Sequence, residues 1–289
     1  LRNKDALVDK PASSHLNTTD HSRDSAGLVY VYPVVSRRAG GVSIGINLNP
    51  NNACNWRCIY CQVPDLTRGT APPVDLALLE DELKGFLYEL LQGDFMQRVP
   101  PEARRLNDVA LSGNGEPTSA AEFAEVIELI GRLKPAGLKL VLITNGSLMQ
   151  RESVQQGLRH MAQLNGEVWF KLDRASEAGM ALVNDTKTGM DKVRQNLVTA
   201  IACCPDTWLQ TCWFALDGQP PSAQDGADYL AFLQGLLQQG VRPRGVLLYG
   251  LARASCQAEA PRLSPLPEPV MTAFADRIRA LGLEVKVSL

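Results

Sequence analysis

The sequence predicts an α/β domain in which parallel strands and helices alternate around a barrel-like sheet. Three observations carry that prediction. Short apolar runs with strand character alternate with amphipathic runs of helical length from Val42 to the C-terminus. Single glycines (Gly137, Gly240 and Gly282) stand between a helical run and the strand after it, where a helix stop belongs. The segments richest in polar residues and glycine directly follow strand runs, which is the end of a parallel barrel where sites are built. The 289 residues are 45% hydrophobic and 21% charged, enough for a sizeable core, and neither a linker nor a repeat divides them.

Residues 1–27 carry few large apolar groups and read as a disordered tail, which leaves one domain over 28–289. Structure is expected to begin at "LVYVYPVVSRR", to turn at Gly40-Gly41 and to continue as a strand over Val42–Leu48. Further strands are expected at Asp108–Ser112, Leu138–Thr144, Glu167–Leu172, Leu209–Leu216, Gly245–Tyr249 and Glu284–Val287. Helices are expected at Val74–Leu91, Ala120–Leu133, Met149–Met161, Lys187–Ala202, Ala223–Gln238 and Glu268–Leu281. Helical spacing puts Phe123, Val126, Ile127 and Ile130 on one face, and Val270, Phe274, Ile278 and Leu281 on another.

A net charge of −2 and a pI near 6.0 predict no general attraction to nucleic acid or anionic membrane. Arg37, Arg38, Arg57, Arg68, Arg98, Arg104 and Arg105 make either a local basic patch or a mixture of solvated surface and ion pairs. No apolar run reaches the ~20 residues of a membrane span, and the first residues lack an apolar signal core. The expectation is a cytoplasmic protein without a membrane partner. In that compartment thiols stay reduced, so seven cysteines do not read as a disulfide framework.

Three of them, Cys54, Cys58 and Cys61, fall in "NACNWRCIYCQ", directly after the first core strand. Thiolates bind zinc or iron–sulfur clusters. Structural zinc takes four closed ligands, but no fourth lies nearby, and His15, His21 and His160 are scattered. Three thiolates on a four-iron cluster leave one iron open to a small molecule. A metal-free core trio and zinc with a distant fourth ligand are the alternatives. Cys203, Cys204, Cys212 and Cys256 read as small core residues.

The cysteine spacing, with aromatic Tyr60 just before the last thiol, resembles the signature of the radical S-adenosylmethionine (SAM) superfamily. "LSGNGEPTS" (Leu111–Ser119) resembles that family's glycine–glutamate–proline element, which implies that Gly113, Asn114, Gly115 and Glu116 lie at the SAM amino group. Glu116 either pairs with the ammonium or shapes the turn. Read from the residues, the two glycines allow a ligand close to the backbone. In "LITNGSL", Thr144 and Asn145 put polar groups at the barrel mouth and Gly146 permits a sharp exit; the resemblance makes the two polar residues SAM contacts.

In "EVWFKLDRAS", Trp169, Lys171 and Asp173 alternate and so share a face. Either Lys171 and Asp173 pair with each other, or Lys171 meets a carboxylate and Asp173 meets ribose hydroxyls. "GVLLYGLARAS" offers backbone beside adenine by resemblance, with Tyr249 and Arg253 as substrate-pocket candidates.

These motifs, in this order from Tyr32 onward, resemble the wyosine-synthase-like group of radical SAM iron–sulfur oxidoreductases. The resemblance implies a partial (β/α)6 TIM-barrel-like core with a short N-terminal extension. It also implies a [4Fe–4S] cluster on Cys54, Cys58 and Cys61, bound SAM, and an external flavodoxin- or ferredoxin-like electron donor. The implied reaction is reductive cleavage of SAM to a 5′-deoxyadenosyl radical that takes hydrogen from a substrate: an RNA nucleoside, a peptide or a metabolite. The group's tRNA-modifying enzymes carry extra cysteines upstream, and no cysteine precedes Cys54 here. A glycyl-radical activase and a non-enzymatic iron–sulfur electron-transfer or sensor protein are the rival readings.

Overall fold

The computed structural model of the chain describes residues 27–36 and 41–289. The expectations for the tail at 1–26, for His15 and His21, and for Arg37, Arg38 and Gly40 lie outside the described residues.

Period-two patterning builds the sheet. In β2 (Gly41–Ile46), Val42, Ile44 and Ile46 are fully buried in the core, while Ser43 and Gly45 face an interior cavity. The same alternation runs through β5 (Leu106–Leu111), β6 (Lys139–Thr144) and β7 (Glu167–Lys171). There Val109, Leu111, Leu140, Leu142, Val168 and Phe170 are in the core, and Asp108, Ala110, Val141, Ile143, Trp169 and Lys171 line the cavity. Strands β8 (Thr207–Cys212), β10 (Gly245–Tyr249) and β12 (Glu284–Ser288) continue the sheet.

Its order is β1-β2-β5-β6-β7-β8-β10-β12, parallel throughout except that β1 (Val31–Ser36) runs antiparallel to β2. The alternation of strands and helices pointed to parallel strands. The exception is β1, which joins its neighbour without a helical crossover. The start of β1 is held by α1 (Leu76–Leu91), whose buried Glu82 accepts from the backbone N–H groups of Val29, Tyr30 and Val31. Two short pairs flank the mouth: β3 (Ala53–Cys54) with β4 (Thr67–Arg68), and β9 (Ala215–Leu216) with β11 (Leu263–Ser264).

Helices α2 (Phe123–Leu133), α3 (Glu152–Gln163), α5 (Met190–Cys203), α6 (Ala223–Gln238) and α7 (Glu268–Arg279) fall where helical runs were expected. Phe123, Val126, Ile127 and Ile130 are buried together on α2, each such side chain contributing roughly 1.5–3 kcal/mol. A Ser222–Asp225 capping box starts α6. Gly137, Gly240 and Gly282 all take left-handed φ, at 77°, 74° and 80°.

Three expectations need correction. On α7, Val270 is 38% exposed and Met271 takes its place in the core beside Phe274 and Ile278. The strand expected over Leu209–Leu216 ends at Cys212, although the Trp213 N–H still donates to the Tyr249 carbonyl (2.9 Å) while its ring stacks on Phe274 at 4.2 Å between centroids. A helix not foreseen, α4 (Glu177–Asn184), starts at a Ser176 cap and stops at Asp185 in left-handed φ. Among the described residues no helix is long and apolar enough to cross a membrane.

Candidate active site

The chain leaves β2 into a stretch with five asparagines between positions 47 and 55, and their side chains staple it to the neighbouring strand exits. Asn47 Oδ1 accepts from the backbone of Asn49 (3.1 Å) and Asn114 (2.9 Å). Asn49 Nδ2 donates to the Ala53 carbonyl, Asn52 Oδ1 accepts from Asn114 Nδ2, and Asn55 joins Asn145 and Ser147. These asparagines were missed from sequence. Their density in one loop was the available signal, since asparagine amides bond nearby backbone.

The three thiols sit on the loop so held. Cys54 is in β3. Around Cys58, the Arg57 and Ile59 N–H groups donate to the carbonyls of Asn184 (3.2 Å) and Val183 (2.9 Å), so the C-terminal turn of α4 clamps the loop. Asn184 Nδ2 lies 3.3 Å from Cys58 Sγ and 2.7 Å from Asp173 Oδ2. The Cys61 carbonyl accepts from Cys256 N–H at 2.8 Å. All three cysteines are half-buried, and all line one cavity. Burial pushes the thiol of Cys54 up to about 11 and that of Cys58 up to about 12.

Among the described residues no group of three or more His, Cys, Asp or Glu side chains is arranged to hold a single metal ion. A four-iron cube takes each thiolate on a different iron, so its ligands stand farther apart than those of one ion. Three thiols on one clamped loop, opening on one cavity, have the donor chemistry for such a cube. The Cys54 and Cys58 thiols, held back from ionising by burial, depend on a bound cation's charge to become thiolates, and binding would release their protons.

Cys203, Cys204 and Cys212 are buried, as small core residues should be. Cys256 departs from that reading. It is exposed, on the cavity wall, because its N–H is drawn to the Cys61 carbonyl.

At the exit of β5, a Cβ on Gly113 would come within 2.3 Å of Asn47 Oδ1, and one on Gly115 within 2.0 Å of the Ala53 carbonyl. The demand for glycine thus comes from the cysteine-bearing segment packed against the turn. Gly113, Asn114, Gly115 and Glu116 still line the cavity. Glu116 is buried. Its carboxylate accepts from Thr118 N (3.1 Å), Thr118 Oγ1 (2.6 Å), Thr144 Oγ1 (2.6 Å) and Asn145 N (2.6 Å). Burial raises its pKa, and these hydrogen bonds work against the rise. Glu116 therefore ties the exit of β5 to that of β6, and it brings Thr144 and Asn145 to the cavity wall.

Lys171 and Asp173 leave β7 differently. Lys171 Nζ bonds Tyr249 Oη at 3.0 Å and lies over the rings of Tyr60 (5.0 Å) and Tyr249 (5.7 Å). Burial acts to lower its pKa, but Tyr249 and Asp173 outweigh that, so the ammonium stays charged. Asp173 is buried and does not line the cavity. It accepts from Tyr60 Oη, Asn184 Nδ2 and Cys212 N–H. Among the described residues, no ion pair within 4 Å joins Lys171 to Asp173. Burial, then Asp173, holds the Tyr60 phenol well above its usual range.

Tyr249 and Arg253 also line the cavity, whose volume is about 1210 Å³. Of the arginines that formed a candidate basic patch, Arg57 pairs with Glu259, Arg68 with Asp185 and Arg98 with Asp94. Arg104 donates to the carbonyls of Val99 and Gln97.

A parallel sheet carrying its polar cluster at the strands' C-terminal ends is a partial TIM-barrel fold, and solved structures of radical SAM enzymes share it. SuiB of Streptococcus suis matches with a TM-score of 0.56 at 10% identity, over 87% of this chain and 50% of that one. TYW1, solved with a lysine–pyruvate adduct bound, matches at 0.53 and 14%, over 82% and 73%. HydG, a maturase of the [FeFe]-hydrogenase, matches at 0.54 and 12%, over 82% and 48%.

No protein-family model matches the chain. Among curated proteins, a UPF0026 protein of Helicobacter pylori is 33% identical over 130 residues, covering 44% of this chain and 38% of that protein. A UPF0026 protein of Methanocaldococcus jannaschii is 26% identical over 173 residues, 57% of this chain and 47% of that protein. The GTPase Obg of Brachyspira hyodysenteriae is 29% identical over 126 residues, 44% of this chain but 17% of that protein. The chain thus spans less than half the length of each of these relatives.

Proposed function

We propose that this chain is a radical SAM enzyme of the wyosine-synthase-like group. Cys54, Cys58 and Cys61 would hold a [4Fe–4S] cluster, with SAM beside it. The observation that carries the proposal is the convergence of three thiols, the 113–116 turn, Thr144–Asn145 and Lys171 on one cavity at the strands' C-terminal ends. Once bound, and given one electron from a flavodoxin- or ferredoxin-like donor, the cluster would supply reductive cleavage of SAM to methionine and a 5′-deoxyadenosyl radical able to take a hydrogen atom from substrate.

The chain's own residues position and protect. The 113–116 turn, made rigid by Glu116, presents backbone to the SAM amino group. Lys171, held charged, suits the SAM carboxylate. Asp173 acts one layer back, fixing Tyr60 and Asn184 against the cysteine loop. Apolar wall residues such as Val141 and Ile143 keep water from the reacting centre. A cytoplasmic setting fits the need for reduced thiols.

Anaerobic reconstitution tests the proposal. The protein should bind about four irons per chain and, with dithionite and SAM, form 5′-deoxyadenosine. Cys58→Ala should form none. Wild-type protein that binds the irons but leaves SAM intact would instead favour an electron-transfer or sensor protein.

A further inference from the structure

The cavity is larger than the roughly 300–1,000 Å³ usual for a single ligand, so it has room for a second molecule beside SAM. On the sheet wall of this cavity, Gln210 carries a buried polar atom without a counterpart among the described residues. Gln210 of β8 is 2% exposed and lines the cavity, yet its side-chain oxygen has no hydrogen-bond partner among the described residues. Buried polar atoms are nearly always paired, so an unpaired one facing a cavity needs a reason.

Its surroundings narrow what the partner can be. Gln210 stands directly across from Lys171 on the adjoining strand, and a cationic group there would meet the lysine's charge. Asp108, on another wall of the same cavity with Ser43 as its hydrogen-bond partner, disfavours an anion. Trp169 lies on the strand next to Gln210 and faces the same cavity, its indole fixed by a 3.1 Å bond from Nε1 to Glu167 Oε2. Tyr249 adds a second aromatic side chain to the wall. An unpaired carboxamide oxygen in a cavity that aromatic side chains also line matches a flat partner that offers an N–H donor.

We infer that Gln210, with Trp169, forms a substrate subsite for an uncharged planar group carrying an N–H next to a C=O, a carboxamide or lactam edge. This rests on the proposed radical SAM function for the subsite's purpose, but not for its measurement. Gln210 is one hydrogen-bonding wall of the pocket, and its side-chain oxygen is left unpaired in the free protein for the ligand to complete.

The test is probe binding by ligand-observed NMR, using nicotinamide (a carboxamide), uracil (a lactam) and benzoate (a charged planar control). At least one amide-type probe should bind wild-type protein, and Gln210→Met should weaken it by about tenfold or more, whereas any benzoate drawn to the Lys171 ammonium should bind wild type and Gln210→Met alike. The Tm of Gln210→Met should equal or exceed that of wild type, because the variant removes a buried amide oxygen that has no partner.

The inference is overturned if no amide-type probe binds at about 10 mM, well above the millimolar Kd expected of a fragment. Undiminished binding by Gln210→Met, or a lowered Tm in that variant, would overturn it as well. These measurements need no SAM turnover. Failure of the radical reading would show separately, as missing 5′-deoxyadenosine in wild type.

Discussion

At the barrel mouth, Glu116 accepts four hydrogen bonds and Asp173 accepts three, all from the protein. Deeper inside the same cavity, Gln210 Oε1 is buried without a partner, and Asp108 keeps a raised pKa against a hydrogen bond from Ser43. The contrast separates two jobs. Polar groups already satisfied by the chain hold other residues in place, and their loss should cost structure. A polar group left wanting on the cavity wall, as at Gln210, faces a ligand, and its loss should cost binding while sparing or improving stability.

The largest effect that could break this division is at the thiols. Cys58→Ala should abolish iron retention and SAM cleavage with little change in far-UV circular dichroism. Near-normal iron content would remove Cys58 from the ligand set. Next comes Glu116→Ala, which strands buried donors on Thr118, Thr144 and Asn145 and should destabilise by roughly 3 kcal/mol or more in urea unfolding. A loss under ~1 kcal/mol would mean that the mouth is not held together as described.

A smaller effect is expected at Asn184, whose N–H group points to Cys58 Sγ. Hydrogen bonds to cluster sulfur favour the reduced state. Asn184→Leu should therefore lower the cluster's reduction potential by roughly 50 mV, the equivalent of one hydrogen bond of about 1 kcal/mol. An EPR-monitored redox titration reads this independently of turnover, and an unchanged or raised potential would contradict it.

The smallest effect is at Asp108. Burial raises its carboxyl pKa. The folded state then binds that proton more tightly than the unfolded chain, so ionisation opposes folding as pH rises through the folded value. Asp108→Asn should gain Tm over wild type as pH is raised from about 4 to 8, by roughly 2–4 °C. A gain that shrinks with rising pH would have the wrong sign.

Much of the mouth was legible in the sequence because its signals are local. The spacing of Cys54, Cys58 and Cys61, the 113–116 turn and the Thr144–Asn145 exit each follow a strand run, and the structure brings all of them to one cavity. The alternation along β7 correctly paired Trp169 with Lys171. The same pattern could not reveal that Asp173, just past the strand, turns behind Tyr60, because alternation fixes a face only while the strand lasts.

Helix α4 escaped notice because it is eight residues long and contains a glycine, too short for helical periodicity to register. The antiparallel direction of β1 depends on pairing partners, which local sequence does not state. Gln210 looked like any polar residue in a strand. Only its burial without a partner, a tertiary fact, marks it out.

The central claim is that the three thiols hold a cluster with one site open to SAM. EPR of the dithionite-reduced, reconstituted protein with and without SAM addresses it most directly. A signal whose g-values shift on adding SAM, and which is absent in Cys58→Ala, is the predicted result. A cluster signal unmoved by saturating SAM would contradict the account.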